Sequence, residues 1–120
     1  MAFVHLHNHT EYSLLDGLTH VKDMVRRAAE LDMPAVAITD HGVMSGVPEL
    51  CDACTAVEKE TGKKVKPIYG CEVYFTTDEE LRKDVKPKLY HLLLLAKTNE
   101  GYHNLLHLVS ESHVDNFYYK

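Results

Sequence analysis

Ala35-Val36-Ala37-Ile38-Thr39-Asp40-His41-Gly42 is a short, unbroken apolar run that ends abruptly in an acid, an imidazole and a glycine. An apolar run of this length without polar alternation reads as a β-strand buried on both faces, the usual appearance of a strand in a parallel sheet. Pro34 stands directly before it and stops the preceding helix. In that helix Val21, Met24, Val25, Ala28 and Ala29 fall at helical spacing, and Thr19 is placed to cap it. Further upstream, residues 3–9 alternate, with Phe3, His5, His7 and His9 on one face and Val4 and Leu6 on the other, which predicts a strand. Downstream, residues 45–60 predict a second helix, with Pro48 in its first turn and Gly62 as its C-cap. Residues 68–75 are β-rich after Pro67, residues 76–88 read as a polar loop, and residues 89–96 form another apolar-run strand. Thr98 caps a last helix with Tyr102, Leu105, Leu106 and Val109 on its inner face. The predicted order is β-α-β-α-β-β-α, an α/β fold of mostly parallel strands with right-handed crossovers and flanking helices.

The chain has 120 residues, enough for one domain with its own core. Eighteen acidic residues against 13 basic ones leave a net charge of −5, which excludes a protein that grips nucleic acid through a uniformly basic surface. Three cysteines form no complete disulfide framework, so a reducing, cytoplasmic setting is expected. The N-terminus lacks the basic start and apolar stretch of a signal peptide. The longest apolar run, Leu92-Leu93-Leu94-Leu95-Ala96, is too short to span a bilayer, so no membrane partner is expected.

Nine histidines are many for this length, and several stand in or beside the predicted strands. His7-Asn8-His9 is an H-x-H motif at a strand end, where alternate side chains point the same way and reach one ion. Taken alone, the motif is equally two polar residues on a solvated strand end. His5 shares that face but lies deeper, as a core histidine or one that supports a ligand from behind. Asp40-His41 follows a strand, where α/β folds collect their chemistry. Glu72 interrupts the apolar stretch Tyr69-Gly70-Cys71-Glu72-Val73-Tyr74, and a buried carboxylate must find cations or strong donors. His91 opens a buried strand and raises the same question, while Asp16 is either a ligand or a turn aspartate. Together these residues point to one place. Histidine nitrogens with carboxylate oxygens suit Zn, Mn or Fe, and a shared carboxylate can bridge two ions in a clamp for phosphoryl transfer. Cys51 and Cys54, a C-x-x-C inside a helix with no second pair, read as small helix residues. His103 and His107 read as a solvated helix face.

The stretch from Phe3 to Gly17 (FVHLHNHTEYSLLDG) resembles the opening of the PHP (polymerase and histidinol phosphatase) domain. The Tyr-Ser-Leu-Leu-Asp-Gly and Gly-Tyr-x-Asn-Leu segments are similar to its branch in bacterial DNA polymerase III alpha subunits. Residues 35–42, 66–72, 91–96, 101–105 and 117–120 continue the likeness in order. The resemblance implies a distorted (β/α)7 barrel with up to three divalent ions at its strand ends, of which residues 1–120 are the N-terminal portion. By position it implies that His7 and His9 bind one ion. Glu72 bridges it to a second that His91 also binds, and Asp16 and His41 hold a third. Asp40 then supports the ligands from behind. The implied activity is that of a metal-dependent phosphoesterase or 3′→5′ exonuclease acting in DNA replication and proofreading. A non-catalytic metal-binding scaffold and a histidinol-phosphatase-like enzyme are the alternatives. The implied partners are DNA, the rest of the polymerase chain and the proofreading subunit. A family barrel is about twice this long and brings later ligands, and a polymerase core does not fit within 120 residues either, so an inactive fragment with partial metal occupancy is expected. An unfinished barrel also exposes a strand edge. Self-association as a homo-oligomer is therefore expected, with Leu105, Leu106, Phe117, Tyr118 and Tyr119 near the contact.

Overall fold

The apolar run becomes β1 (Ala35–Ile38), all four residues buried, in a computed structural model that describes residues 3–14, 16–77 and 88–114. Before it, α1 (Val21–Glu30) buries Val21, Val25, Ala28 and Ala29 on one face. After it come α2 (Val47–Thr61), β2 (Lys66–Phe75), β3 (Tyr90–Leu95) and α3 (Asn99–Val114). The sheet order is β1-β2-β3. β1 and β2 pair in parallel from Ala35↔Lys66 to Ile38↔Tyr69, joined through α2 as a βαβ unit. β2 and β3 pair antiparallel, with Glu72 opposite Leu93 and Tyr74 opposite His91. β3 is thus the exception to the parallel pattern.

The core forms where the two first helices meet the sheet. Val21 and Val25 of α1, Leu50 of α2, Val36 and Ile38 of β1 and Cys71 of β2 are almost fully buried in one cluster. α3 adds Leu105, with Tyr102, Leu106 and Val109 packed beside it. Leu105 is therefore buried in the chain's own core. Phe117, Tyr118 and Tyr119, expected near such a contact, lie outside the described residues, as does most of the predicted 76–88 loop.

Three local readings are corrected. Residues 3–9 do not form a regular strand. They run parallel to β1 with a single bridge, His5 to Val36. Backbone bonds join them at two points, Ala37 N–H to the His5 carbonyl and Thr39 N–H to the Asn8 carbonyl (3.0 Å each). Side chains add to these: the Asn8 amide donates to the carbonyls of Ala37 (2.9 Å) and His5 (3.2 Å), and the Thr39 hydroxyl donates to the Asn8 carbonyl (2.9 Å). Secondly, Thr19 does not cap α1. The N-cap is His20, whose side chain makes no capping bond. Glu11 reaches back from the preceding loop to accept the Val21 N–H at 3.1 Å and His20 Nδ1 at 3.0 Å. An anionic side chain at a helix N-terminus is favourable. Thirdly, His5 is exposed rather than a core residue, with its ring edge-on to Phe3 at 4.6 Å.

The remaining punctuation behaves as local chemistry dictates. Pro48 sits in the first turn of α2, and Gly62 closes it in the left-handed region at φ 72°. The Thr98 hydroxyl accepts the Gly101 N–H at 3.1 Å at the start of α3. Cys51 is exposed and Cys54 buried, all three cysteines are free, and burial pushes the Cys54 thiol up to about 11. His107 pairs with Glu111 along α3 at 3.3 Å.

The loop between the first extended segment and α1 is folded tightly on itself. Ser13 N–H donates to the Thr10 carbonyl at 2.9 Å, and Gly17 N–H to the Ser13 carbonyl at 2.8 Å. A Cβ on Gly17 would lie 1.8 Å from the Thr10 carbonyl oxygen. Gly17→Ala is therefore expected to cost about 2–3 kcal/mol, since the clash is with backbone that cannot rotate away. It is also expected to weaken metal binding through the adjoining Asp16. Urea denaturation with the native m-value checks it, and an unchanged midpoint would show that the loop opens freely.

Candidate metal centre

Thr39, Asp40 and His41 continue from β1 toward the neighbouring strand after the regular ladder stops. Glu72 N–H donates to the Asp40 carbonyl (3.1 Å) and Gly42 N–H to the Glu72 carbonyl (2.8 Å), a bridge that sets His41 beside Glu72. On β2, alternation puts Glu72 and Tyr74 on the face opposite Cys71. The antiparallel register brings His91 opposite Tyr74. The H-x-H segment arrives from the other side, across β1.

The imidazoles meet at Glu72, whose side chain is 5% exposed. Its Oε2 lies 2.5 Å from His7 Nε2, 3.0 Å from His9 Nε2 and 4.0 Å from His41 Nδ1. Its Oε1 is bound by His91 Nδ1. Burial pushes the Glu72 carboxyl up. The hydrogen bonds from His7 and His91 and the nearby His41 outweigh that, holding it below the ordinary carboxylate value. Asp16, largely exposed, binds His41 Nε2 at 2.7 Å. His9 and His41 stack at 4.1 Å between ring centroids, and Tyr74 lies parallel to His41 at 6.1 Å.

Asp40 is 1% exposed and lies beneath this group. Its carboxylate accepts Thr10 N–H (2.6 Å), the Thr10 hydroxyl (2.8 Å) and the Ser13 hydroxyl (2.7 Å). Thr10 and Ser13, both buried, are the polar residues that the sequence reading passes over. Their only sequence signal is a pair of hydroxyls directly after H-x-H. His5, read as a possible support for the ligands, makes none of these contacts.

All six candidate ligands thus converge, and they divide into three sets whose donor atoms lie within 4.8 Å of one another: His7, His9 and Glu72; His9, Asp16 and His41; His41, Glu72 and His91. His9, His41 and Glu72 each belong to two sets; of the three only the Glu72 carboxylate can serve two ions at once, since a neutral imidazole has one lone pair. A family model for the PHP domain matches residues 5–120. The chain belongs to the PHP domain family.

The PHP match is accompanied by likeness over nearly all of this chain to a small part of much longer proteins. The chain is 45% identical over 118 residues to the DNA polymerase III subunit alpha of Helicobacter pylori strain 26695, covering 98% of this chain and 9% of that protein. It is 39% identical to the same subunit of Treponema pallidum, covering all of this chain and 10% of that one. The chain therefore spans about a tenth of the length of these curated relatives. Among solved structures, a candidate metal-dependent phosphoesterase from Bifidobacterium adolescentis superposes with a TM-score of 0.53 at 25% identity, over 87% of this chain and 31% of that one. The parallel pair β1 and β2 with their flanking helices is consistent with a partial (β/α) barrel. No helix among the described residues is long and apolar enough to cross a membrane.

Proposed function

We propose that this PHP domain holds the metal cluster of a phosphoesterase that hydrolyses DNA phosphodiester bonds, as a 3′→5′ exonuclease serving a replicative polymerase. The observation that supports it most is Glu72, one buried carboxylate with imidazole nitrogens gathered on both of its oxygens. One or two donors would suffice to offset its burial. Four imidazole nitrogens within 4.0 Å fit a bridging ligand better. The donor set also suits a cation, because the buried His41 Nδ1 has no hydrogen-bond partner and nitrogen with carboxylate oxygen matches Zn, Mn or Fe. His7, His9 and Glu72 would hold one ion, Glu72 with His91 a second, and Asp16 with His41 a third. Bound ions supply Lewis-acid stabilisation of phosphoryl oxygens and lower the pKa of water.

The chain's own residues do the positioning. Asp16 orients the His41 ring through Nε2, and Asp40 ties the loop that carries Asp16 to the end of β1. His7 and His91 have half-exposed side chains, which leaves the centre open to a bulky substrate. Further chain, of which the Helicobacter pylori relative has about ten times as much again, would supply the missing ligands and cover the exposed β3 residues Leu92 and Leu95. DNA and the proofreading subunit are the proposed partners in the cytoplasm, and occupancy in residues 1–120 alone is partial.

The test uses the polypeptide at its full natural length, freed of contaminating nucleases, with Mn²⁺ or Zn²⁺ and 3′-labelled single-stranded DNA. Release of nucleotides that EDTA stops and His9→Ala removes is the expected result. Cleavage of histidinol phosphate but not DNA would replace the reading with a small-molecule phosphatase. No cleavage of either, with His9→Ala only lowering the melting temperature, would leave a structural scaffold.

A further inference from the structure

Ser13 is 2% exposed, and its hydroxyl has three neighbours: Asp40 Oδ1 at 2.7 Å, the His41 backbone N–H at 3.1 Å and His9 Nδ1 at 3.2 Å. A serine hydroxyl offers one proton and two lone pairs. The carboxylate already collects both Thr10 donors and takes the serine proton as well. The His41 amide can only donate, so it occupies one lone pair. Only a lone pair remains to face His9, and His9 Nδ1 must therefore carry a proton.

We propose that Ser13 is a positioning residue of the metal centre, fixing His9 as the Nδ1–H tautomer so that its Nε2 lone pair is presented to the ion. The inference rests on the metal-centre reading given above. At the other end of the ring His9 Nε2 lies 3.0 Å from Glu72 Oε2 and 3.2 Å from His7 Nε2, among the other candidate ligand atoms, so a proton or a cation must lie between Nε2 and the carboxylate, and the ion takes that place when bound. The ordering runs outward from the core: Thr10 fills the Asp40 carboxylate, Asp40 takes the Ser13 proton, and Ser13 thereby becomes an acceptor for His9. A ligating histidine commonly has its second ring nitrogen held in this way, and losing the holder costs about 10–100-fold in metal affinity. Here the holder is a hydroxyl that is an acceptor only because a buried acid sits behind it.

The tautomer is read directly from long-range ¹H–¹⁵N correlations of the metal-free protein at about pH 8, where an ordinary imidazole is neutral. The wild type is expected to show His9 protonated at Nδ1. Ser13→Ala is expected to turn this into a mixture and to weaken Zn²⁺ binding, measured by titration with the metal alone, about 10–100-fold. A wild-type His9 that carries a proton at Nε2 and none at Nδ1 overturns the proposal. So does a Ser13→Ala variant that keeps both the tautomer and the affinity. Should that variant fail to fold, the wild-type spectrum still decides. Neither readout involves substrate: an inactive protein with the Nδ1–H form and the Zn²⁺ dependence sinks the proposed hydrolysis and leaves the role of Ser13 standing.

Discussion

Glu72→Ala is expected to lower phosphodiester hydrolysis by about three orders of magnitude. Removing the shared ligand forfeits several kcal/mol of charge stabilisation at the phosphoryl group, and each 1.36 kcal/mol is a factor of ten. The variant also makes a specific statement about metal content. Glu72 belongs to two of the three donor sets, and only His9, Asp16 and His41 stay intact without it. Metal analysis should therefore show the loss of every ion but one, while circular dichroism shows the helices unchanged. A variant that retains its full metal content would mean that the imidazoles bind without the carboxylate, and the shared-ligand arrangement would be wrong.

Asp40→Ala should be the most damaging substitution for stability near the centre. It strips the acceptor from Thr10 N–H, the Thr10 hydroxyl and the Ser13 hydroxyl, all of them buried. An unsatisfied buried donor costs about 1–3 kcal/mol. The two hydroxyls can turn toward new partners and the amide cannot, so a total of about 3–5 kcal/mol is expected. That is a large part of the stability of an ordinary domain. A shifted urea midpoint at constant slope measures it. A loss below about 1 kcal/mol would show that water enters and replaces the carboxylate.

What was legible in the sequence was whatever broke a local rule. Glu72 is conspicuous because it stands in an apolar strand, and Asp40-His41 because it ends a buried one. The helices announced themselves through spacing, and Pro48 and Gly62 marked the limits of α2 to within a residue or two. Thr10 and Ser13 break no rule, since hydroxyls in a polar loop are ordinary, and their importance comes only from Asp40 lying 27–30 residues away in sequence. The cap of α1 was misread for a related reason. Local rules look for it next to the helix, whereas Glu11 reaches it from ten residues before Val21. The direction of β3 is equally silent in its composition, because Leu92 to Leu95 is as apolar as a parallel strand, yet Leu92 and Leu95 are exposed. Residues 3–9 alternate as a strand should, but their two backbone bonds to the β1 segment are supplemented by the Asn8 and Thr39 side chains rather than continued as a regular ladder.

The antiparallel pairing of β2 with β3 separates tether from chemistry. His91 reaches Glu72 because Tyr74 pairs with His91 and Glu72 with Leu93, a register held by the ladder rather than by the length of chain between Phe75 and Tyr90. Residues added to that connection leave the register alone, whereas residues added between β1 and β2 must be absorbed by a packed helix. Both ends of the connection leave the sheet next to the imidazoles. This hairpin is therefore a natural grafting point: new sequence spliced there would alter what approaches the ions without retuning the atoms that hold them.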